Sequence, residues 1–288
     1  MTIGNACRER EFASSAPWPV QRIRAVFNRA AAGYDREPLR VYGFSADRLI
    51  RHAGIRPGQK VLDAGAGTGA VTFAAAQCVG PTGRVIAIDT AEQMLDRAQD
   101  RIGQFGITNV DLHLMDAAQP EFRSGYFDAV LCGHALDLMP DMEAAVRSWM
   151  RVVRPGGTIA FSGFGPGTFE PLAGLLRAAV ARTWPPDAVP PVQGCHGVAT
   201  IDCFRELAGT LGLAGGQVAE EPLGYHLRDA GEWWDVVMGS GLRESVDRLD
   251  AVPADAVRSA HLAEVAGLAG VDGLWLDVRV LFATATRS

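Results

Sequence analysis

A doubly wound α/β fold, with a parallel sheet covered by helices on both faces, is what this sequence predicts. Three observations carry that expectation. Short apolar runs alternate with helical patterns from residue 60 to 164, the signature of βαβ units. The run Val61-Leu62-Asp63-Ala64 breaks into Gly65-Ala66-Gly67-Thr68-Gly69 and then enters an Ala-rich helix, the composition of a sharp strand-to-helix turn. Successive strands end at Asp63, Asp89, Asp116 and Cys132-Gly133-His134. Reactive side chains therefore collect at the carboxyl ends of strands, where sheets of this kind bind ligands.

Taken in order, residues 1–17 are expected to be a flexible N-terminus; they carry mixed charges and no apolar stretch of the sort a signal peptide needs. From about Trp18, the residues Ile23, Val26, Phe27, Ala30, Ala31 and Tyr34 share one helical face, which stops near Gly33-Tyr34-Asp35. A second helix, about Phe44 to Ala53, ends at Gly54 before the turn Pro57-Gly58. Strand one is Lys60 to Asp63. Pro81-Thr82-Gly83 turns the chain into strand two, Arg84 to Asp89. Thr90 with Gln93 three residues on makes a capping-box pattern, and Ala91, Leu95, Ala98, Ile102 and Phe105 follow at helical spacing. Strand three is Val110 to Met115 and strand four is Phe127 to Cys132. Asp141 caps a helix running to Val153, Pro155-Gly156-Gly157 stops it, and strand five is Thr158 to Phe164.

The remainder is less regular. Pro171 starts a helix holding Leu172, Leu175, Leu176 and Val180. A Pro/Gly-rich loop from Trp184 to Gly197 has the length of a lid or binding loop. A helix over about Ile201 to Leu211 leads to a strand near Gln217 to Leu227. A helical stretch with Trp233, Trp234, Val237, Met238 and Leu242 follows, then a helix over about Ala254 to Leu268 and a last strand, Leu274 to Thr284.

Composition narrows the function. The net charge of −6 over 288 residues, with no Lys/Arg-rich run, disfavours a nucleic-acid partner. No apolar run approaches the ~20 residues of a membrane span. The five cysteines (Cys7, Cys78, Cys132, Cys195, Cys203) are scattered without a Cys-x-x-Cys pair, which argues for a reducing, cytoplasmic setting and against structural zinc.

The glycine stretch points to an adenosine ligand. Asp89 follows the last of its glycines by about 20 residues, where a doubly wound fold sets a carboxylate on ribose hydroxyls. A dinucleotide site wants Gly-x-Gly-x-x-Gly with pyrophosphate on the helix N-terminus. Here the spacing is Gly-x-Gly-x-Gly, and Asp63 stands two residues before the first glycine. A carboxylate there repels a phosphate and suits an ammonium or a sulfonium. S-adenosylmethionine has an adenosine, a sulfonium and an amino-acid tail, and no phosphate. A dinucleotide, or a turn with no ligand at all, stays open on these residues alone.

The ordered motifs resemble those of class I S-adenosylmethionine-dependent methyltransferases, and within that class the ubiquinone/menaquinone C-methyltransferase-like group of small-molecule enzymes. They are the Val61–Gly69 loop, Val85–Asp89, Met115-Asp116-Ala117, Phe127-Asp128-Ala129-Val130 and Val153-Arg154-Pro155-Gly156-Gly157. The segment Phe27 to Asp35 is similar to the Phe-x-x-x-Ala-x-x-Tyr-Asp stretch ahead of the core in that group. The resemblance covers roughly residues 20–165. It implies a Rossmann-like seven-stranded sheet, mostly parallel with an antiparallel last strand. It also implies N-terminal helices over 18–56 that close on the cofactor, and a core over 57–288 with lid insertions at about 165–200 and 229–270. Carried over by motif, Gly65, Ala66 and Gly67 pass under the methionine and ribose of S-adenosyl-L-methionine, and Asp63 acts near its amino group. Asp89 takes both ribose hydroxyls, and Thr90 and Met94 line the adenine. Asp116 takes the adenine amine with Ala117 beside the ring, Cys132 offers its backbone carbonyl to the methionine part, and Tyr34 closes over the carboxylate end.

Methyl transfer is an in-line displacement with a neutral leaving group, so no metal is required and positioning in a water-poor pocket does most of the work. A nucleophile that must lose a proton needs a base within hydrogen-bond reach. His134, just after strand four, is the expected base; His196 and His226 are alternatives, and Asp137 and Glu170 are further carboxylates near the rim. Gly133-His134-Ala135-Leu136 stands where amino-methylating nucleic-acid enzymes carry Asn/Asp-Pro-Pro-Tyr/Phe, a second argument against DNA or RNA. The Trp184–Gly197 loop and the Trp233–Leu242 stretch form either an apolar lid or ordinary core. As a lid they fit an apolar or aromatic metabolite such as a quinone, polyketide, terpenoid or indole. The competing readings are an S-adenosylmethionine-binding cyclase or decarboxylase on the same fold, a non-catalytic partner subunit, and a dehydrogenase. The exposed N-terminal helix would suit a homodimer.

Overall fold

In the computed structural model, residues 19–183, 201–212, 214–249 and 251–288 are described. Strands and helices alternate as the sequence predicts. Helix α1 (Val20–Tyr34) is followed by a short 3-10 turn, Glu37–Leu39, and helix α2 (Val41–Ala53). Then come β1 (Lys60–Ala64), α3 (Ala70–Val79), β2 (Arg84–Asp89), α4 (Glu92–Phe105), β3 (Val110–Leu114), β4 (Phe127–Gly133), α5 (Met142–Val152) and β5 (Val153–Phe164). The helix ends obey local chemistry. Gly54 closes α2 in the left-handed region at φ 62°, which costs a glycine nothing. The Asp141 carboxylate accepts the Ala144 N–H at 2.9 Å and caps α5.

Seven strands form one sheet in the order β3-β2-β1-β4-β5-β9-β6, where β6 is Ala214–Pro222 and β9 is Arg279–Thr286. The first five are parallel. β9 lies antiparallel between β5 and β6, so the expected seven-stranded sheet with an antiparallel last strand is observed. After β1 the chain builds outward to β2 and β3, then returns to the other side of β1 for β4. The crevice at this reversal, beyond the ends of β1, β2 and β4, is where ligands bind in open sheets of this kind.

Strand alternation divides the core. Val61, Val85, Ala129 and Leu131 face α2 and α3, in a cluster that continues into α6 (Leu172–Thr183) and the C-terminal helices. Leu62, Ile86, Val130 and Cys132 face the other way, against α5 and α7 (Ile201–Thr210). Helix α1 packs through the small residues Ala30 and Ala31 on Ala91 and Met94 at the start of α4.

Several expectations need correction. The last two strand runs are each split: β6 gives way to β7 (Tyr225–Leu227), and β8 (Leu274–Leu276) precedes β9. β7 and β8 pair with each other as a separate ribbon, joined to the main sheet by the Leu223 N–H on the Val278 carbonyl at 2.8 Å. The capping box at Thr90 is absent. Ala91 is the N-cap of α4, and the Asp89 and Asn28 side chains accept the Ala91 and Gln93 amides instead, at 2.8 and 3.0 Å. Strand five starts five residues early, at Val153, because Pro155-Gly156-Gly157 bulges beside β4 rather than standing outside it. Trp233, on α8 (Ala230–Met238), is fully buried and donates from Nε1 to His261 Nε2 at 2.8 Å, a core position. His261 belongs to α10 (Ala251–Ala266), which follows the short α9 (Glu244–Asp247). Cys203 is disulfide-bonded, which does not fit the expected reducing setting, while Cys78 and Cys132 are free. No helix among the described residues is long and apolar enough to cross a membrane. The Trp184–Gly197 loop, with His196, lies outside the described residues.

Candidate active site

The glycine loop is held from beneath by the end of β2. The Gly65 and Ala66 N–H groups both donate to the Ile88 carbonyl, at 2.9 and 3.0 Å. This hairpin-tight path needs Gly65 at φ 83°, and a Cβ there would lie 2.6 Å from the Ala135 Cβ. Gly67, at φ 54°, faces open space: a Cβ added to it would meet nothing within 4 Å. Its N–H donates to Asp89 Oδ2 at 2.8 Å, while Ala91 N–H donates to Oδ1 of the same carboxylate. Burial raises the Asp89 pKa, and these amides oppose that rise by stabilising the anion.

A cleft of about 660 Å³, counting its open mouth, runs over this loop. Gly65, Gly67, Asp89, Thr90, Met94, Asp116 and Ala117 line it. The Ala117 position is set by the Trp149 indole, which donates to its carbonyl at 2.8 Å, and Asp116 accepts the Ala118 N–H at 2.9 Å. Val20, Ile23 and Phe27 of α1 and Leu138, Met139 and Pro140 after β4 add apolar lining, with Phe27 packed beside Ala91 and Met94. Tyr34 lines the cleft with its ring stacked on Tyr42, centroids 4.5 Å apart. Next to it, Asp35 accepts the Thr68 hydroxyl at 2.6 Å and so ties the end of α1 to the glycine loop.

Three expected residues stand back from the cleft. Asp63 is fully buried beneath the loop, with Thr72 Oγ1 donating to Oδ2 at 2.5 Å. Its Oδ1 has no donor among the described residues. Burial pushes the Asp63 pKa up to about 7, Asp89 adds to the rise, and the Thr72 hydrogen bond opposes it. Ala66 is buried. Cys132 points into the core on the far face of the sheet, and burial pushes its thiol pKa well up, so it is inert.

His134 lines the cleft at φ 53°, a left-handed conformation uncommon for a residue with a Cβ. Its Nε2 lies 2.6 Å from the Ser45 hydroxyl on α2, and its ring packs on Phe164 at 4.3 Å and edge-on to Tyr42 at 5.5 Å. Both ring nitrogens are thereby turned away from solvent, Nε2 onto Ser45 and Nδ1 into the protein. The remaining base candidates lie elsewhere. His226 stacks edge-on against Trp275 on the β7–β8 ribbon, and Glu170 pairs with Arg177.

A methyltransferase-domain family profile matches residues 61–157, the stretch that carries the loop and the three acids. Aklanonic acid methyltransferase DauC from Streptomyces sp. (strain C5) is 32% identical over 179 residues, 59% of this chain and 81% of that protein. The chain belongs to the S-adenosylmethionine-dependent methyltransferase family. Nocamycin O-methyltransferase from Saccharothrix syringae is 38% identical over 167 residues, 57% of this chain. A ubiquinone/menaquinone biosynthesis C-methyltransferase from Ectopseudomonas mendocina is 35% identical over 176 residues, 54% of this chain and 68% of that protein. The chain spans only 60% of the nocamycin enzyme's length. Among solved structures, the [4+2]-cyclase SpnF matches with a TM-score of 0.59 at 16% identity, over 95% of this chain and 99% of that one, a likeness of fold.

The residues present fit the family's cofactor. Among the described residues that line the cleft none is Lys or Arg, so none of them would neutralise a pyrophosphate. The loop amide that a phosphate would use, Gly67 N–H, is already taken by the Asp89 carboxylate. Asp63 and Asp89 instead favour a cationic, hydroxyl-bearing ligand, and the open space over Gly67 lets it lie against the backbone. Sequence reasoning missed Ser45, Thr72, the Asp35–Thr68 contact and the apolar lining. Asp35 was within reach, because it ends the Phe27–Asp35 motif; Ser45 and Thr72 carry no local signal.

Proposed function

We propose that this protein transfers the methyl group of S-adenosylmethionine to an oxygen, nitrogen or carbon nucleophile of a small, largely apolar metabolite. One observation carries the reading: the cleft that presents Asp89 and Asp116 is also lined by Val20, Ile23, Phe27, Leu138 and Met139, with no Lys or Arg among its described lining residues. The likeness to nocamycin O-methyltransferase and to aklanonic acid methyltransferase DauC supports a small-metabolite substrate. When bound, S-adenosylmethionine supplies an activated methyl on a sulfonium.

The chain's own residues do the rest. Asp89 and Asp116 anchor the adenosine by hydrogen bonds to its ribose and its amine, and Thr90, Met94 and Ala117 flank the base. Tyr34 and α1 cover the ligand and exclude water, which strengthens every polar contact within. His134 is the proposed base. Taking a substrate proton requires its ring to swing off Ser45 toward the cleft, a rotation about χ1 of a side chain already on the cleft wall. The test is mass spectrometry of metabolite extracts incubated with protein and methyl-labelled cofactor. A product heavier than its precursor by one methylene unit, carrying the label, supports methyl transfer. Turnover of a metabolite with no change in mass sinks it in favour of a rearrangement on the same fold.

A further inference from the structure

Beneath the glycine loop, Asp63 is fully buried at the end of β1. Thr72, also fully buried, stands in the first turn of α3 and donates to Asp63 Oδ2 at 2.5 Å. Oδ1 has no donor among the described residues. Leaving a buried acceptor unpaired costs on the order of 1–3 kcal/mol, so such an atom in a native site calls for an explanation. A ligand that brings its own donor provides one, and the family's cofactor carries an α-ammonium.

We propose that Thr72 is a positioning residue for the cofactor: by occupying Oδ2 it commits Oδ1 to the ligand's ammonium, and it thereby couples cofactor affinity to the ionisation of Asp63. The inference rests on the cofactor reading above and deepens it. The titratable groups that act on or are acted on by Asp63 are Asp89 from β2 and Cys132 from β4, and neither is cationic. Burial dominates and pushes the Asp63 pKa up to about 7, with no cationic partner acting on it among the described residues. An ammonium on Oδ1 favours the anion. Below neutrality the ligand must therefore expel a proton from Asp63 in order to bind, and affinity falls as pH falls. The Thr72 hydroxyl pulls against burial by stabilising the anion. Without it, the fall begins at higher pH.

The experiment is titration calorimetry of the whole protein with S-adenosylhomocysteine between pH 6 and about pH 8, in buffers of different ionisation enthalpy. The wild type is expected to bind about tenfold more weakly at pH 6 than at pH 8, with close to one proton released at the acid end. Thr72→Val is expected to bind about tenfold more weakly than wild type at pH 7 and to recover as pH rises. Thr72→Ser should follow the wild type, and Asp63→Asn should give a flat profile, which separates Asp63 from Asp89. A flat wild-type profile without proton release overturns the inference while leaving the cofactor reading intact. So does an equal, pH-independent loss in Thr72→Val and Thr72→Ser. Absence of binding by the wild type at every pH rejects the cofactor reading and this inference with it. Should Thr72→Val fail to fold, the wild-type proton count and Thr72→Ser decide the matter.

Discussion

Asp89 and Asp116 in the cleft, and Asp63 buried beneath it, are placed by where three parallel strands stop, and each carboxylate accepts a nearby amide or hydroxyl. The apolar part of the lining comes from α1 and from the turn after β4, segments far apart in the chain. α1 rests on the sheet domain through small residues, Ala30 and Ala31, and is held at its rim by polar clasps. Arg22 and Arg29 pair with Glu244 and Asp247, and Asp35 holds Thr68 and Arg101. Partly exposed ion pairs of this kind contribute about 0–1 kcal/mol each. The contrast is between a part of the site built into the sheet backbone and a part laid over it. The first should resist change and the second should open, with α1 as the element that admits ligand.

Four measurements would break or sharpen this contrast. Asp89→Ala removes the proposed ribose acceptor and two backbone tethers at once. S-adenosylhomocysteine affinity, read by calorimetry, should fall on the order of a thousandfold, since hydrogen bonds to charged groups are worth roughly 1.5–3 kcal/mol each. A loss below tenfold would mean that the backbone-built part is not what grips the ligand. His134→Ala should lower turnover about a hundredfold with little change in that affinity, the size expected for a lost general base. Unchanged turnover with intact affinity would leave His134 a packing residue of the Ser45–Phe164–Tyr42 nest.

Asp63→Asn tests the cost of the buried acid. The folded-state pKa of Asp63 is raised to about 7 from its usual 3.8, so the native state holds its proton more tightly than the unfolded chain does. The stability this acid withholds therefore grows as pH rises from about 4 to 7 and is constant above. At pH 8 the ligand-free variant should unfold later than wild type by roughly 1–4 kcal/mol, and the gain should vanish near pH 4. Denaturant melts at the two pH values check this, and a variant less stable at both would contradict it. The smallest effect is expected at the rim. Burial alone would raise the Asp247 pKa, but Arg243 and Arg29 hold it below the usual value. Asp247→Asn should release α1 and speed S-adenosylhomocysteine dissociation about two- to fivefold in stopped flow, as added salt should in the wild type. If neither changes the rate, α1 is not the gate.

The reach of the sequence follows the same division. The strand ends, the glycine loop, the sheet with its antiparallel last strand and the acids Asp63, Asp89 and Asp116 were legible because each is a local matter. Burial periodicity fixes a strand, glycine frees a backbone angle, and a residue at a strand end has a known place in a parallel sheet. Where only a fitting local pattern was available, as for Thr90 and Gln93, tertiary neighbours won: Asp89 and Asn28 took the amides that the capping box was expected to satisfy. The splitting of the last strands, the burial of Trp233 on His261, the turning of His134 onto Ser45 and the pairing of Thr72 with Asp63 were decided only by how separate elements pack. No periodicity encodes them, because the partners lie on different elements and meet only when the sheet brings α2 and α3 against it. The sequence determined which strand ends carry the glycine loop and the acids, and the tertiary structure decided which hydroxyls meet Asp63 and His134.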